Sequence, residues 1–213
     1  MNEKIPWRID RRRCALLVID MQNDFVEPGG VLEVPMARKF VPNIKRILDC
    51  CRNIDVPVIF TQHTLTEGYH ISPLEAAYNP VLFEQGMREG SHGVAIYDDL
   101  APINGETVIK KHRYDSFHNT QLESILRSRK GYGVIDTVII TGTVTNICCD
   151  STARGAYMRD FKVVMVSDSC GGLDEQSQRA TLEIIGSVFG RVMDTEGIIN
   201  ALMEGEEHLI PYI

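Results

Sequence analysis

The sequence predicts an α/β fold built on a mostly parallel sheet of about six strands. Short apolar runs rich in β-branched residues alternate with longer segments whose apolar residues recur at helical spacing. The apolar runs are continuous, which indicates strands that are covered on both faces. Strands that alternate with helices are joined by right-handed crossovers, and such connections produce parallel pairing.

The predicted strands and helices follow from the spacing of their apolar residues. The first apolar run reads CALLVI, and the first helical segment carries Phe40, Ile44, Ile47, Leu48 and Cys51 at helical spacing. The predicted strands are residues 14–19, 56–62, 107–110, 137–141, 162–167 and a short 191–193. The predicted helices are residues 36–53, 120–129, 146–159, 175–188 and 195–204.

Residues 65–100 interrupt this alternation, because they contain no clear strand and carry several glycines and prolines. A connection of this length in a compact domain is usually functional, as a lid or a binding surface. A surface excursion that packs in an oligomer is the alternative, and the sequence leaves both open. No repeat or linker divides the chain, so residues 1–213 are predicted to form one domain.

Composition excludes several classes of protein. There are 22 Lys and Arg against 29 Asp and Glu, which gives a net charge of −7. Nucleic acids and anionic membrane surfaces bind basic proteins, so neither is an expected partner. The chain is 44% hydrophobic and 24% charged, which is ordinary for a globular protein and argues against disorder.

The six cysteines do not form the pattern of a secreted or zinc-binding protein. Two adjacent pairs occur, and there is no CxxC motif. No signal-peptide core follows the charged first residues, and no apolar stretch approaches the length of a membrane span. These features predict a reducing, cytoplasmic compartment. The cysteines are Cys14, Cys50, Cys51, Cys148, Cys149 and Cys170.

Reactive side chains follow three of the predicted strands. Asp20 ends the first, Lys110 and Lys111 end the third, and Cys148 lies in the first turn of the helix after the fourth. Open α/β sheets place their sites at these strand ends. The helix dipole is expected to lower the pKa of the thiol. Singly, each group has an ordinary alternative as a cap, a surface charge or a core residue.

Three blocks resemble the isochorismatase-like cysteine hydrolases. They are ALLVIDMQNDFVEPGG (15–30), KHRYDSFHNTQL (111–122) and TGTVTNICCDSTARGAYMRDFKVVMVSDSCGG (141–172). The order and spacing of the blocks extend the resemblance over nearly the whole chain. It implies a three-layer α/β/α sandwich. The branch indicated contains the ureidoacrylate, biuret and N-carbamoylsarcosine amidohydrolases.

The resemblance implies a catalytic triad of Asp20, Lys111 and Cys148, with Lys110 as the alternative lysine. Cys148 would attack an amide carbon, form a thioester-level intermediate and release ammonia. The resemblance also implies a cis peptide at Thr143–Val144, with the backbone N–H groups of Val144 and Cys148 as the oxyanion hole.

Four further residues are predicted to bind substrate. Phe25 resembles the family's pocket-wall aromatic, and three others lie near the same strand ends: Asn23, Tyr114 and Phe117. Core packing is the alternative for Phe25. His63 could face the site, although a lone histidine is more often structural. No glycine-rich fingerprint follows the first strand, so no dinucleotide cofactor is expected. Like its relatives, the protein is expected to form a homodimer or homotetramer.

No catalytic metal is predicted. In the nicotinamidases that this chain resembles, an aspartate two residues before a histidine holds a metal. Here Thr61 stands at that position, and His63 and His70 alone make a poor site. The favoured function is therefore hydrolysis of a small carbamoyl or ureido compound. The alternatives are a nicotinamidase, an isochorismatase (whose members lack the nucleophilic cysteine) and a redox-responsive thiol protein using Cys148 and Cys149.

Overall fold

The computed structural model describes residues 7–66, 71–128 and 135–204. Its centre is a six-stranded sheet in the order β3-β2-β1-β4-β5-β6, and every neighbouring pair is parallel. The predicted α/β class and parallel sheet are confirmed. The strands are β1 Cys14–Ile19, β2 Val58–His63, β3 Thr107–Lys111, β4 Thr137–Thr143, β5 Lys162–Gly171 and β6 Arg191–Met193.

Helices cover both faces of the sheet and complete three layers. The helices are α1 Asn23–Val26, α2 Pro35–Asn53, α3 Pro73–Tyr78, α4 Val81–Glu84, α5 Leu122–Arg127, α6 Asp150–Tyr157, α7 Glu175–Ile184 and α8 Thr195–Met203. Of these, α2 and α8 pack on one face, and α5, α6 and α7 belong to the other. Among the described residues, no helix combines the length and apolar character needed to cross a membrane.

Strand β1 shows why the apolar runs are continuous. Its side chains alternate between two hydrophobic cores: Leu16 and Val18 contribute to the core beneath α2, and Leu17 and Ile19 contribute to the opposite core. All six residues of β1 are buried. A strand covered on both faces has no position left for a solvated polar side chain.

The helix predicted over residues 146–159 begins differently in the structure. It starts with a π-helical turn, Thr145–Cys149, that continues into α6. The N–H groups of Ile147 and Cys149 both donate to the carbonyl oxygen of Val144, at 3.0 and 3.1 Å. Wide turns of this kind are frequent at functional sites. A second π-helical turn, Ile185–Phe189, follows α7 in the same way.

Residues 65–100 form α3, α4 and a short 3-10 turn. Residues 67–70 of this segment lie outside the described part of the chain. The segment then returns over the carboxyl end of β1. There the backbone N–H of Asn23 donates to Ala95, and that of Asp24 donates to Gly93. The amide of Gln22 donates to the carbonyl oxygens of His63 and Val94 and accepts the N–H of His63. Residues 65–100 are therefore hydrogen-bonded to the edge of the sheet where the candidate active-site residues lie.

Gly142 allows β4 to approach the end of β1. It pairs with Ile19, its φ is +116°, and a Cβ at this position would lie 2.1 Å from the carbonyl oxygen of Ile19. The pairing of β4 with β5 also shifts register between Ile140 and Gly142. The position requires a positive φ and leaves no space for a side chain. Only glycine satisfies both requirements at low energetic cost, since it has no Cβ and adopts positive φ readily.

Gly142→Ala is expected to lower the free energy of unfolding by about 3 kcal/mol, because strain and a backbone clash act together. Gly105→Ala is the matched control, since Gly105 has a φ of +95° but a Cβ added there would meet no atom within 4 Å. The control is expected to cost about 1 kcal/mol from strain alone. Urea denaturation measures both. Equal losses in the two variants would show that the contact with Ile19 is unimportant.

Candidate active site

The carboxyl ends of three strands bring together the three side chains of the predicted triad. Asp20 follows β1, Lys111 ends β3, and Cys148 lies in the π-helical turn after β4. Their exposures are 0%, 1% and 3%. The strand order reverses between β1 and β4, where open α/β sheets form their binding crevice. Three charged or nucleophilic groups are thus buried together at the expected position.

Asp20 is fixed by contacts from two strands. Its Oδ2 lies 2.7 Å from Lys111 Nζ, and its Oδ1 accepts a 2.6 Å hydrogen bond from the hydroxyl of Thr61 on β2. The Thr61 oxygen in turn accepts the backbone N–H of Asp20 at 3.2 Å. Asp20 has a φ of +47°, a conformation that aspartate adopts more readily than most residues. The sulfur of Cys148 lies within 4.8 Å of this carboxylate.

The structure distinguishes the two lysines at the end of β3, because successive side chains of a strand point to opposite faces. Lys111 points inward to Asp20, and its Nζ also donates to the carbonyl oxygen of Arg113 at 3.0 Å. Lys110 is exposed and pairs with Glu89 at 2.7 Å. Burial is the largest single effect and would lower the pKa of Lys111, but the charges of Asp20 and of the two neighbouring cysteines, with the contact to Asp20, together outweigh it and the pKa is raised. The buried lysine therefore remains protonated.

Cys148 is a neutral thiol in this site. Burial raises the pKa of Cys148 to about 12; the charge of Lys111 opposes this increase, and the charge and hydrogen bond of Asp20 add to it. The lowered thiol pKa predicted from the sequence is wrong, because the position in the helix did not reveal the desolvation or the neighbouring carboxylate. The thiol therefore keeps its proton and has a carboxylate base within 4.8 Å.

Val144, the other residue of the predicted oxyanion hole, lies directly beside the thiol. The Thr143–Val144 peptide bond is cis. The carbonyl oxygen of Val144 accepts the backbone N–H of Cys149 at 3.1 Å, so Val144 lies against the turn that carries Cys148. One donor of the predicted pair is therefore next to the position at which a carbonyl carbon would be attacked, and its catalytic role stays a prediction.

His63, the last residue of β2, faces the same group. One of its ring nitrogens lies within 4.8 Å of both the Asp20 carboxylate and the Cys148 sulfur. Its Nε2 is buried and has no hydrogen-bond partner among the described residues. Burial, and then the charge of Lys111, lower the pKa of His63 well below its usual value. The imidazole is therefore neutral and lies beside Asp20 and Cys148.

Two of the predicted substrate-binding residues make structural contacts in the described part of the chain. The side-chain amide of Asn23 donates to the carbonyl oxygen of His92 at 2.9 Å, so it holds the 65–100 segment against the start of α1. Phe25 is 6% exposed and belongs to the hydrophobic core that contains α2. Its contacts match the core-packing alternative that the sequence left open.

The other two differ in exposure, since Phe117 is buried and Tyr114 is partly exposed. Phe117 is buried and packs on Phe161, with ring centroids 5.7 Å apart, so its contacts are those of a core residue. Tyr114 is 40% exposed, and its ring lies 6.1 Å from that of His63. Of the four candidates, Tyr114 has the contacts expected at the mouth of the site.

Residues 14–197 match the family model of the isochorismatase domain. The chain belongs to the isochorismatase family. Enterobactin synthase component B of Escherichia coli K12 is 30% identical over 200 residues, which are 94% of this chain and 67% of that protein. Ureidoacrylate amidohydrolase RutB of Yersinia enterocolitica is 34% identical over 216 residues and covers 92% of both chains.

A solved structure of this fold extends the match to three dimensions. The cysteine hydrolase of Pseudomonas syringae superposes with a TM-score of 0.87 at 31% identity, over 96% of this chain and 100% of that one. Members of the isochorismatase family are hydrolases, so this protein is a hydrolase with the isochorismatase-like fold.

Thr61 is a site residue whose contact with Asp20 was not predicted from the sequence. The sequence identifies it only as the replacement for a metal-binding aspartate of the nicotinamidases. In this isochorismatase-family site its hydroxyl orients Asp20. A signal was available: Thr61 and His63 are two residues apart on β2, so their side chains share a face next to the end of β1.

The described residues of this family member contain one cluster of possible metal ligands, formed by Asp20, His63 and Cys148. The donors fit a cation poorly. The Asp20 carboxylate is already paired with the Lys111 ammonium at 2.7 Å, so a metal ion would sit beside a buried positive charge. His70, the other histidine considered from the sequence, lies outside the described residues.

The vicinal thiols do not support a redox role. Cys149 is fully buried, and burial, followed by a hydrogen bond with Cys170, raises its pKa well above the usual value. Redox-responsive cysteines are accessible and have a low pKa. Neither Cys148 nor Cys149 has these properties, so the geometry favours hydrolysis over thiol signalling.

Asp20→Asn is expected to increase the rate at which iodoacetamide alkylates Cys148 by about tenfold at about pH 8, a change of about one pKa unit. The carboxylate raises the thiol pKa through its charge and its hydrogen bond, whereas Lys111 lowers it. Removing the carboxylate leaves the lysine to act alone. Peptide mass spectrometry gives the rate, and Cys148→Ala supplies the background from other thiols. Slower alkylation would contradict this account of the pKa.

Proposed function

We propose that this hydrolase cleaves a C–N bond of a small linear amide or ureide through a covalent intermediate on Cys148, with release of ammonia. The observation that carries the proposal is the buried cluster in which the Cys148 sulfur lies within 4.8 Å of the Asp20 carboxylate, which is itself paired with the buried Lys111 at 2.7 Å. A nucleophile beside its base, which is oriented by a third group, is the arrangement used for covalent catalysis at a carbonyl.

Acylation starts from the neutral thiol. As the sulfur of Cys148 attacks the carbonyl carbon, its proton moves to Asp20, so the thiolate forms only in contact with the substrate. The N–H groups of Val144 and Cys148 stabilise the oxygen of the tetrahedral intermediate. The C–N bond then breaks, Asp20 gives its proton to the leaving nitrogen, and ammonia departs. Lys111 balances the charge on Asp20 whenever the carboxylate is ionised.

Deacylation reverses these roles. Water attacks the carbonyl carbon of the thioester-level intermediate while Asp20 accepts a proton from it. The C–S bond breaks, the acid product leaves, and the proton returns from Asp20 to the sulfur of Cys148. One carboxylate therefore serves both half-reactions, and no external acid or base is required.

A carbamoyl or ureido compound is the substrate class that we favour. The RYDSF block at residues 113–117 resembles the ureidoacrylate hydrolases, and the Yersinia relative at 34% identity is named for that reaction. Candidates are biuret, ureidoacrylate and N-carbamoyl amino acids. These are small, planar and polar, and the site offers the Nε2 of His63 and the hydroxyl of Tyr114 as hydrogen-bonding groups.

Hydrolysis of isochorismate is a second candidate, because the Escherichia coli relative matches about as closely as the Yersinia one. A vinyl ether needs a proton donor such as protonated Asp20 and does not need the thiol. Nicotinamide is disfavoured, because Thr61 replaces the metal-binding aspartate and bonds to Asp20 instead.

Wild-type protein is expected to release ammonia from at least one of biuret, ureidoacrylate and N-carbamoyl amino acids, more rapidly than from nicotinamide. Cys148→Ala should abolish this release, since no other group can form the acyl intermediate. Cys149→Ala is the control and should retain most of the activity, because that thiol contacts Cys170. Isochorismate hydrolysis that survives in Cys148→Ala, without ureide turnover in the wild type, would establish the second candidate instead.

Lys111→Ala is expected to lower kcat/KM about a thousandfold, whereas Lys110→Ala should stay within about twofold of wild type. The first removes the buried partner of Asp20, and the second removes an exposed ion pair with Glu89. Lys111→Ala leaves a buried charge unpaired and can unfold. The double variant Asp20→Asn/Lys111→Met removes both charges and should fold but remain inactive. Activity in either Lys111 variant would contradict the assignment.

A further inference from the structure

His63 ends β2 beside both reacting groups of the proposed mechanism. Strand β2 lies between β1 and β3, and His63 pairs in register with Lys111. One ring nitrogen of His63 lies within 4.8 Å of the Asp20 carboxylate and of the Cys148 sulfur. The carbonyl carbon of an acyl group on Cys148 is one bond from that sulfur, so the acyl group lies next to the imidazole.

The backbone of His63 is held on both sides, but its ring carries a polar atom without a partner. The side-chain amide of Gln22 accepts the N–H of His63 at 2.7 Å and donates to its carbonyl oxygen at 2.9 Å. His63 is 1% exposed, and its Nε2 makes no hydrogen bond within the described ranges. Buried polar atoms are normally hydrogen-bonded, and an unpaired one is costly. A polar group of a bound molecule would relieve that cost.

The imidazole of His63 is able to accept a hydrogen bond. A neutral imidazole has one N–H group and one bare nitrogen, whereas a protonated one has only donors. Burial, and then the ammonium of Lys111, lower the pKa of His63, so the ring stays neutral. Both oxygens of Asp20 already have partners, Lys111 on Oδ2 and Thr61 on Oδ1. Among the described residues around Cys148, His63 is therefore an acceptor that remains available.

The three groups on the scissile carbon of a ureide then have three separate partners. In the proposed reaction, the carbonyl oxygen meets the N–H groups of Val144 and Cys148, and the departing nitrogen meets Asp20. The third group is the N–H that links the carbonyl carbon to the rest of the substrate. It stays on that carbon when ammonia leaves, so the intermediate is a thiocarbamate. A simple amide has a methylene group at this position and offers no donor.

We propose that His63 determines specificity: it accepts a hydrogen bond from the retained N–H of the substrate and thereby selects ureides over simple amides. The inference rests on the proposed function and narrows its substrate class. It places no requirement on the far end of the substrate, so biuret, ureidoacrylate and N-carbamoyl amino acids all satisfy it. A methylene group in place of the N–H would leave the buried ring nitrogen unpaired, which disfavours the amide.

The test compares each ureide with the amide in which a methylene group replaces that N–H. The pairs are biuret with malonamide, N-carbamoylglycine with succinamate, and ureidoacrylate with the monoamide of glutaconate. Both members of a pair release ammonia, which is measured, and the ureide also loses carbon dioxide. The second nitrogen makes a ureide carbonyl the less electrophilic of the two, so intrinsic reactivity cannot produce a preference for it. Wild-type enzyme is expected to prefer the ureide at least about tenfold in kcat/KM.

His63→Leu is expected to reduce this preference at least about fivefold, because the ureide loses its acceptor while the amide loses no hydrogen bond. Cleavage of the amide should stay within about threefold of wild type. The ratio between two substrates does not change when part of a sample is unfolded, so it separates recognition from stability. His118→Leu is the matched control, since that histidine is exposed, and it should keep the wild-type ratio.

His63→Gln and His63→Asn provide an independent measurement. Glutamine places an amide group near the position of Nε2, and asparagine places one near that of Nδ1, so one of the two should restore most of the ureide preference. A wild-type enzyme that prefers the amides, an unchanged preference in His63→Leu, or restoration in neither variant would overturn this inference while amide hydrolysis stands. A wild-type enzyme that releases ammonia from no ureide and no amide would overturn the proposed function as well.

Discussion

The ion pair between Lys111 and Asp20 is the interaction on which the rest of the site depends. Both side chains are completely buried, and 2.7 Å separates the ammonium from the carboxylate. Removing one member of such a pair leaves an uncompensated charge in the interior, which typically costs about 3–5 kcal/mol. The pair therefore constrains the fold as well as the chemistry: β1 and β3 must hold their carboxyl ends in register through β2, which lies between them.

That register is reinforced from both sides. Thr61 on β2 bonds to Asp20, and Gln22 bonds to the backbone of His63, so the ends of β1 and β2 are tied beyond their last ladder hydrogen bonds. On the other side, Gly142 lets β4 approach Ile19 closely enough to deliver Cys148. The crevice at the reversal of strand order is thus occupied by a rigid polar cluster supported by strands, and loops supply only its mouth.

Burial and the neighbouring charges of Asp20 and Lys111 determine when the thiol of Cys148 loses its proton. Burial and Asp20 hold the pKa of Cys148 at about 12, while Lys111 limits that increase. A thiol in this state resists alkylation and oxidation between turnovers, yet it lies within 4.8 Å of the base that must accept its proton. In the proposed reaction, the substrate carbonyl and the N–H of Val144 provide the stabilisation that makes this transfer favourable. The same carboxylate then serves the leaving nitrogen and the attacking water.

The sequence by itself determined the parallel α/β sheet, because continuous apolar runs are local patterns that record burial on both faces. It also placed Asp20, Lys111 and Cys148 at strand ends, where parallel strands must bring them to one edge. Only the tertiary structure showed the contacts that separate Lys111, already favoured from the sequence, from Lys110. It also reversed the expected direction of the thiol pKa and joined Thr61 to Asp20. These outcomes depend on desolvation and on contacts between residues distant in the chain, and neither quantity is encoded in a local pattern.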